Sequence, residues 1–369
     1  MLNRCSRRTP GHGVRRILLV RKGYVGDVIQ TTALLRDLRE HYPEAHITYM
    51  TGPGGATVLE GNTCVDVIEP FVAVPAGRAR GLLPFMRRMS ALRGKRFDLG
   101  IALNPDSRDA LLLHLVGAKR TVGFAEPGRE FLLDECVLWD ETKIMARQDH
   151  YDALLRLLGK EPACRRYEFT PSAAEGCSRT VKALLEAPER IVVVAPGGGH
   201  NPRGCAPYRQ WPAERFAEAA GRLIAGDNGR AVIVGGREDA EVAGRALEAW
   251  PAATKHEVED LTDRTTLYEL GRLLARADIL ITNDSAPVWI AAAVDCPTVC
   301  IVGCNHPVVC RPLSGSFVAV SAGLPCCPCF RGATVPTCPV PPDCLDAISV
   351  DQVVGAVGAL PAGAGVGRW

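Results

Sequence analysis

The sequence predicts an α/β fold of two Rossmann-like domains, each built on a parallel sheet, the two facing a central cleft. Three observations carry this expectation. Short continuous apolar runs such as Arg16–Val20 (Arg-Ile-Leu-Leu-Val) and Arg190–Ala195 read as strands buried on both faces. They alternate with segments of helical apolar spacing, which implies right-handed βαβ units. The alternation restarts at Arg190, after a joining stretch over Lys160–Ala187. The expected boundaries are a disordered extension over 1–14, an N-terminal domain over 15–170, a C-terminal domain over 171–348, and a terminal helix and tail over 349–369.

In the first half, Arg16–Val20 leads into the turn Gly23-Tyr24-Val25-Gly26-Asp27. Val28–His41 follows with helical spacing through Ile29, Ala33, Leu34 and Leu38, closed by Pro43. Ile47–Met50, Val65–Glu69 and Asp98–Leu103 read as further strands. In the second half the strands are Arg190–Ala195, Ala231–Gly235, Asp278–Thr282 and Thr298–Val302. The helices are Pro212–Ala225, Asp239–Ala249, Leu267–Ala275 and Ala286–Val294, with Gln352–Ala359 a terminal helix before a disordered end.

Composition narrows the function. A chain of 369 residues at 47% hydrophobic fills two cores. A net charge of +2 gives no argument for a nucleic-acid partner. No run of about 18 apolar residues suggests a membrane span. The first 13 residues are polar and basic without an apolar core, unlike a secretory signal. The 15 cysteines are therefore expected as thiols or metal ligands in a reducing cytoplasm, and nine of them crowd between Cys296 and Cys344.

Several segments suit chemistry. Asn283-Asp284-Ser285-Ala286-Pro287 ends an apolar run and opens an Ala-rich helix, so backbone N–H groups and the helix dipole at Asp284, Ser285 and Ala286 favour a phosphate. Pro196-Gly197-Gly198-Gly199-His200 follows a strand, and Gly197 and Gly198 expose further N–H groups; the alternative is a plain flexible turn. The Walker lysine and its Ser/Thr are missing, which excludes an ATPase P-loop, and Gly-x-Gly-x-x-Gly is absent, which removes a dinucleotide fingerprint. Arg209 suits a diphosphate or is a surface arginine. Glu238, at the end of another strand, suits a ribose diol or is a solvated acid at a helix start. Asp27 fits a general base acting on a hydroxyl, or an N-cap.

Arg78–Arg96 holds seven basic residues and no acid, with apolar residues interleaved. It fits an anionic acceptor or an anionic membrane surface, with Gly26, Arg87 and Arg88 on the acceptor side, or simply a solvated helix face. Cys326, Cys329, Cys338 and Cys344 have ligand spacing for a structural zinc or iron–sulfur site.

Taken in order, Ile17-Leu18-Leu19-Val20-Arg21 with Gly26-Asp27, Phe97–Leu103, Thr121-Val122-Gly123-Phe124, Ala195-Pro196-Gly197-Gly198, Trp211–Phe216, Asp284-Ser285-x-Pro287 and Cys326-x-x-Cys329 with Cys344-Leu345 resemble glycosyltransferase family 9, the ADP-heptose:lipopolysaccharide heptosyltransferases. The likeness runs from Arg16 to Val357. It implies a GT-B fold and inverting sugar transfer that needs no cofactor. Asp27 would be the base, the domain-two turns would bind the nucleotide diphosphate of ADP-heptose, and the acceptor would be an anionic glycolipid. The implied location is the cytoplasm, at the inner face of the cytoplasmic membrane. Arg209 stands where the family has lysine, Ala286 where it has glycine and Trp289 where it has histidine. Those departures keep two other readings open: a glycosyltransferase with a small-molecule acceptor or another donor, and a non-catalytic nucleotide-binding relative.

Overall fold

A computed structural model describes residues 13–71, 82–140, 143–172, 176–199, 206–225, 228–313, 315–329, 338 and 343–360. Most of the expected extension and tail, and Arg78, Arg80 and His200, lie outside the described residues. The chain divides into two compact units, Met1–Lys143 with Gln148–Arg165 and Ile144–Arg147 with Arg166–Trp369.

Unit 1 holds strands β1 (Arg16–Arg21), β2 (His46–Thr51), β3 (Val67–Pro70), β4 (Leu99–Ala102), β5 (Arg120–Ala125) and β6 (Glu135–Leu138). They form one sheet in the order β3-β2-β1-β4-β5-β6, parallel throughout. Helices α1 (Val25–Ile29), α2 (Thr32–His41), α3 (Pro53–Leu59), α4 (Leu82–Gly94), α5 (Ser107–Leu115) and α6 (Arg147–Leu157) connect and follow the strands. The four central residues of β1 are fully buried, because helices cover both faces of a parallel sheet.

Unit 2 repeats the plan. Strands β7 (Arg190–Ala195), β8 (Gly229–Ile233), β9 (Val258–Asp260), β10 (Ile279–Asn283), β11 (Thr298–Ile301) and β12 (Phe317–Val320) take the order β12-β11-β10-β7-β8-β9, again all parallel. The helices are α7 (Arg179–Glu186), α8 (Ala213–Ile224), α9 (Ala240–Glu248), α10 (Leu267–Arg276), α11 (Ala286–Ala293), α12 (Pro307–Cys310), α13 (Asp343–Asp346) and α14 (Val350–Gly358). Trp211 anchors the core: fully buried, edge-on to Phe216 at 5.1 Å, its indole N–H donating to Ile348 O at 3.0 Å. Val350, Val353 and Val357 bring α14 into that same core.

The structure corrects two expectations about elements. Val28–His41 is not one helix. Thr31 and Thr32 turn their hydroxyls back onto Val28 O and Ile29 O, each at 2.7 Å, and Thr31 also meets the buried Tyr49 hydroxyl at 2.7 Å. Such back-bonding competes with the helix ladder. α1 therefore begins at Val25 and ends at Ile29, which puts Asp27 inside it. Strands β5, β6, β9 and β12 were not expected from the pattern. β6, β9 and β12 are short sheet edges, the first two of mixed polarity and β12 an apolar run of only four residues, and β5 carries Thr121 and Gly123. Gly123 has its own reason: a Cβ there would stand 2.6 Å from Ala102 O on β4. Among the described residues no helix is long and apolar enough to cross a membrane.

Candidate active site

In each sheet the strand order reverses between the first and fourth strands, and open α/β sheets take ligands beyond the C-terminal ends of strands at such a point. In unit 1 the point lies between β1 and β4. Asp27 stands there on α1, its side chain 38% exposed. Oδ1 accepts from Arg21 Nη2 at 2.9 Å and Oδ2 from the Tyr24 N–H at 3.2 Å. Gly23 makes the turn feasible, since a Cβ there would lie 2.8 Å from Asp27 Cβ. Gly26 is buried within α1 and its carbonyl accepts from the Gln30 N–H.

Behind Asp27 runs a polar chain that sequence reasoning missed. Arg21 Nη1 donates to Leu103 O at 2.8 Å and to Asn104 Oδ1. Asn104 Nδ2 donates to Asp109 Oδ2 at 2.9 Å and Lys22 O at 3.2 Å. Lys22 Nζ pairs with Asp106 and lies 3.6 Å from Asp109 Oδ1. Asp106 also caps α5, accepting from the Arg108 N–H at 2.9 Å. Burial would raise the Asp106 carboxyl, but hydrogen bonds from Arg108 and Lys22 outweigh it and hold the group well below the usual carboxylate range. Asp109, wholly buried, goes the other way: burial raises it despite the Asn104 bond. Burial disfavours the Arg21 charge, yet Tyr151, Asp27, Tyr49 and Asp109 together push its pKa above the ordinary arginine value. The only sequence signal was polar Arg21-Lys22 and Asn104-x-Asp106 directly after buried strands.

In the basic stretch, Arg87 is exposed, whereas Arg88 and Lys95 both pair with the buried Glu69 on β3. Leu83 and Met86 on the same helix are 61% and 53% exposed.

In unit 2 the reversal lies between β7 and β10, and the expected donor segments meet there. Asn283, fully buried at the end of β10, clasps both ends of the β7–α8 connection: Nδ2 donates to Pro196 O at 2.7 Å and Gly197 O at 3.3 Å, and Oδ1 accepts from the Trp211 N–H at 3.1 Å. Gly197 and Gly198 are buried. Gly199 takes φ +75°, a left-handed conformation that favours glycine, and a Cβ on it would sit 3.5 Å from Ser285 Cβ. Ser285 is the N-cap of α11 in extended conformation, with its hydroxyl turned to Asn283 O at 3.3 Å and making no cap bond. Pro287 has no N–H and Val288 N–H folds back to Ser285 O, which leaves the Ser285 and Ala286 N–H groups to the helix's positive end.

Asp284 is buried, its carboxylate bonded to the Asn305 amide. Arg209 Nη1 reaches Asp284 O at 3.4 Å. Burial works against the Arg209 charge, but Asp284, Cys304 and Cys310 more than offset it and raise its pKa. Glu238 is exposed beyond β8. Its neighbour Asp239 lies against the Gly197 turn and accepts from the Gly236 N–H at 2.9 Å. Trp289 points away from this chemistry: it is 6% exposed and packs edge-on to Tyr167 at 6.0 Å.

The structure gives the cysteine expectation no support. Among the described residues no group of three or more His, Cys, Asp or Glu side chains is arranged to hold a metal. Cys326 is exposed, Cys329, Cys338 and Cys344 are half-buried, and none of the four forms a disulfide among the described residues. The neighbouring sulfurs face backbone carbonyls instead, Cys327 Sγ lying 2.8 Å from Asn305 O and Cys329 Sγ 3.7 Å from Cys304 O. Burial, with Cys329 and Cys344 nearby, pushes the Cys327 thiol up to about 11.

Two parallel six-stranded α/β units, each with its reversal point beyond the C-terminal strand ends, give the chain the GT-B fold of solved heptosyltransferases. The chain belongs to glycosyltransferase family 9 (heptosyltransferase), whose profile matches residues 85–338. It is 24% identical over 307 residues to lipopolysaccharide heptosyltransferase 2 of Salmonella typhimurium, covering 81% of this chain and 86% of that one. The solved Escherichia coli ADP-heptose lipopolysaccharide heptosyltransferase II superposes with a TM-score of 0.71 at 22% identity, over 93% of this chain and 98% of that one. A family 9 glycosyltransferase from Veillonella parvula gives 0.72 at 22% identity, over 94% and 96%.

Proposed function

We propose that the protein transfers heptose from ADP-heptose to a hydroxyl of an anionic glycolipid, a lipopolysaccharide core intermediate, with inversion at the anomeric carbon. The names of its Salmonella and Escherichia coli relatives support donor and pathway. The observation that carries the mechanism is Asp27: partly exposed beyond β1, with each carboxylate oxygen accepting one hydrogen bond and keeping a lone pair for the acceptor. Asp27 takes the proton as the acceptor oxygen attacks the anomeric carbon. The bond to the ADP oxygen breaks, and its electron pair leaves on the diphosphate. The Ser285 and Ala286 N–H groups, the Gly197-Gly198 turn and Arg209 stabilise that charge, while Asp284 acts by holding the loop through Asn305. Glu238 takes the ribose diol.

Gly26 lets the acceptor approach closely. Arg87, beside exposed Leu83 and Met86, favours an anionic lipid acceptor at the inner face of the cytoplasmic membrane. Arg88 serves that surface through its pair with Glu69.

Ala286 supports a second reading, another donor or no transfer, because its methyl group sits where the diphosphate approaches. Turnover of wild type and Asp27→Asn is measured with ADP-heptose and other nucleotide sugars, against glycolipid and small-molecule acceptors. The expected result is heptosyl transfer to glycolipid, reduced about 10²–10⁴-fold in the variant. Asn-variant turnover near that of wild type removes Asp27 as base. ADP binding without transfer to any acceptor establishes the non-catalytic reading.

A further inference from the structure

We propose that Arg21 is a positioning residue of the transfer reaction: it aims the Asp27 carboxylate, and is itself aimed by Asn104 and Asp109. The inference rests on the reading of Asp27 as base.

An arginine at the end of a central strand calls for a reason. The four residues before it, Ile17–Val20, are apolar and buried, and only 12% of the Arg21 side chain is exposed. Burying a guanidinium costs stability unless its donors are met, so an aliphatic residue would serve packing better there. The structure meets the donors of both terminal nitrogens in a particular way and leaves Nε unmet among the described residues. One arm, Nη1, is locked to β4 and its following loop through Leu103 O and Asn104. The other arm, Nη2, reaches Asp27 Oδ1 at 2.9 Å. Because the guanidinium is planar and rigid, fixing Nη1 fixes the direction of Nη2. The Asp27 carboxylate is therefore oriented at Oδ1 from beyond the neighbouring strand, while Oδ2 rests on the Tyr24 N–H at the start of its own helix.

Its own helix is a weak support. α1 has five residues and stops where Thr31 and Thr32 turn back on it. A helix that short has little stability of its own. Asn104 is in turn held at its amide by Lys22 O and by Asp109, which is wholly buried beside Lys22. Each member of the chain Asp27–Arg21–Asn104–Asp109 thus limits the rotation of the one before it. Misplacing a catalytic group by about 1 Å costs on the order of 10²-fold in rate.

The test is a double-mutant cycle on the full-length protein, with kcat and the donor KM read separately. Arg21→Met is expected to lower kcat about 10–100-fold with donor KM within about 2-fold, and Arg21→Lys to restore part of the loss. In the Asp27→Asn background, Arg21→Met should lower the residual rate no further, since both changes remove one unit. Asn104→Ala keeps the ion pair and leaves Nη1 held by Leu103 O alone; it should give a smaller kcat loss with the same lack of additivity, and it carries the test if Arg21→Met does not fold. Unchanged kcat in Arg21→Met, or an equal loss in both backgrounds, overturns the positioning role while leaving Asp27 as base. Wild-type turnover in Asp27→Asn alone overturns the base reading, and the inference with it.

Discussion

At Gly197 a Cβ would lie 2.2 Å from Asp239 Oδ1, so the donor turn and the loop after β8 share a space only glycine leaves open. Gly197→Ala should weaken ADP binding about 10–100-fold by calorimetry, and Gly197→Ala with Asp239→Ala should recover most of it. Equal affinity in all three proteins would show that the contact relaxes without reaching the ligand. Residues of this kind are legible in the sequence because glycine runs after strands are rare and have few uses. Arg21 and Asn104 are not legible, because an arginine or asparagine after a strand is usually solvated, and only pairing across β1 and β4 buries these two. Trp289 misleads in the opposite direction. Read against a family pattern it looks like a change at the donor, yet its ring is core packing against Tyr167.

Central strands and long helices were readable from apolar runs and spacing, whereas the short edge strands and the α1–α2 break depend on register and hydroxyl back-bonding that no periodicity records. α5 shows how an element's start couples to pH. Its cap, Asp106, is depressed in the folded state by Arg108 and Lys22 in spite of burial. A carboxyl lowered on folding contributes its stabilisation fully above the unfolded value of about 4 and loses it as pH falls toward the folded value. Asp106→Asn keeps a capping oxygen but loses both ion pairs. It should be less stable than wild type at pH 7 by roughly 0.5–1 kcal/mol, with the difference shrinking at pH 3, as read by urea unfolding. An undiminished difference at pH 3 would place the effect in packing instead.

Each unit of the whole molecule has its own sheet and core, so calorimetry should resolve two unfolding transitions. ADP at about 100 times its Kd should raise one of them by roughly 2.7 kcal/mol of stability, and Trp211→Ala should lower that same one by about 3–5 kcal/mol. A single transition, or ADP and Trp211→Ala acting on different ones, would count against a donor site carried by unit 2. The two sheets share one strand order, and each candidate site hangs from the reversal point of its sheet, beyond strands buried on both faces. Residues inside the sheets are committed to packing; those just past the strand ends are not. The segments past the strand ends of such a chain are open to exchange: 196–209 together with 284–285, which Asn283 ties into one piece, can be replaced without disturbing a strand pairing in either core.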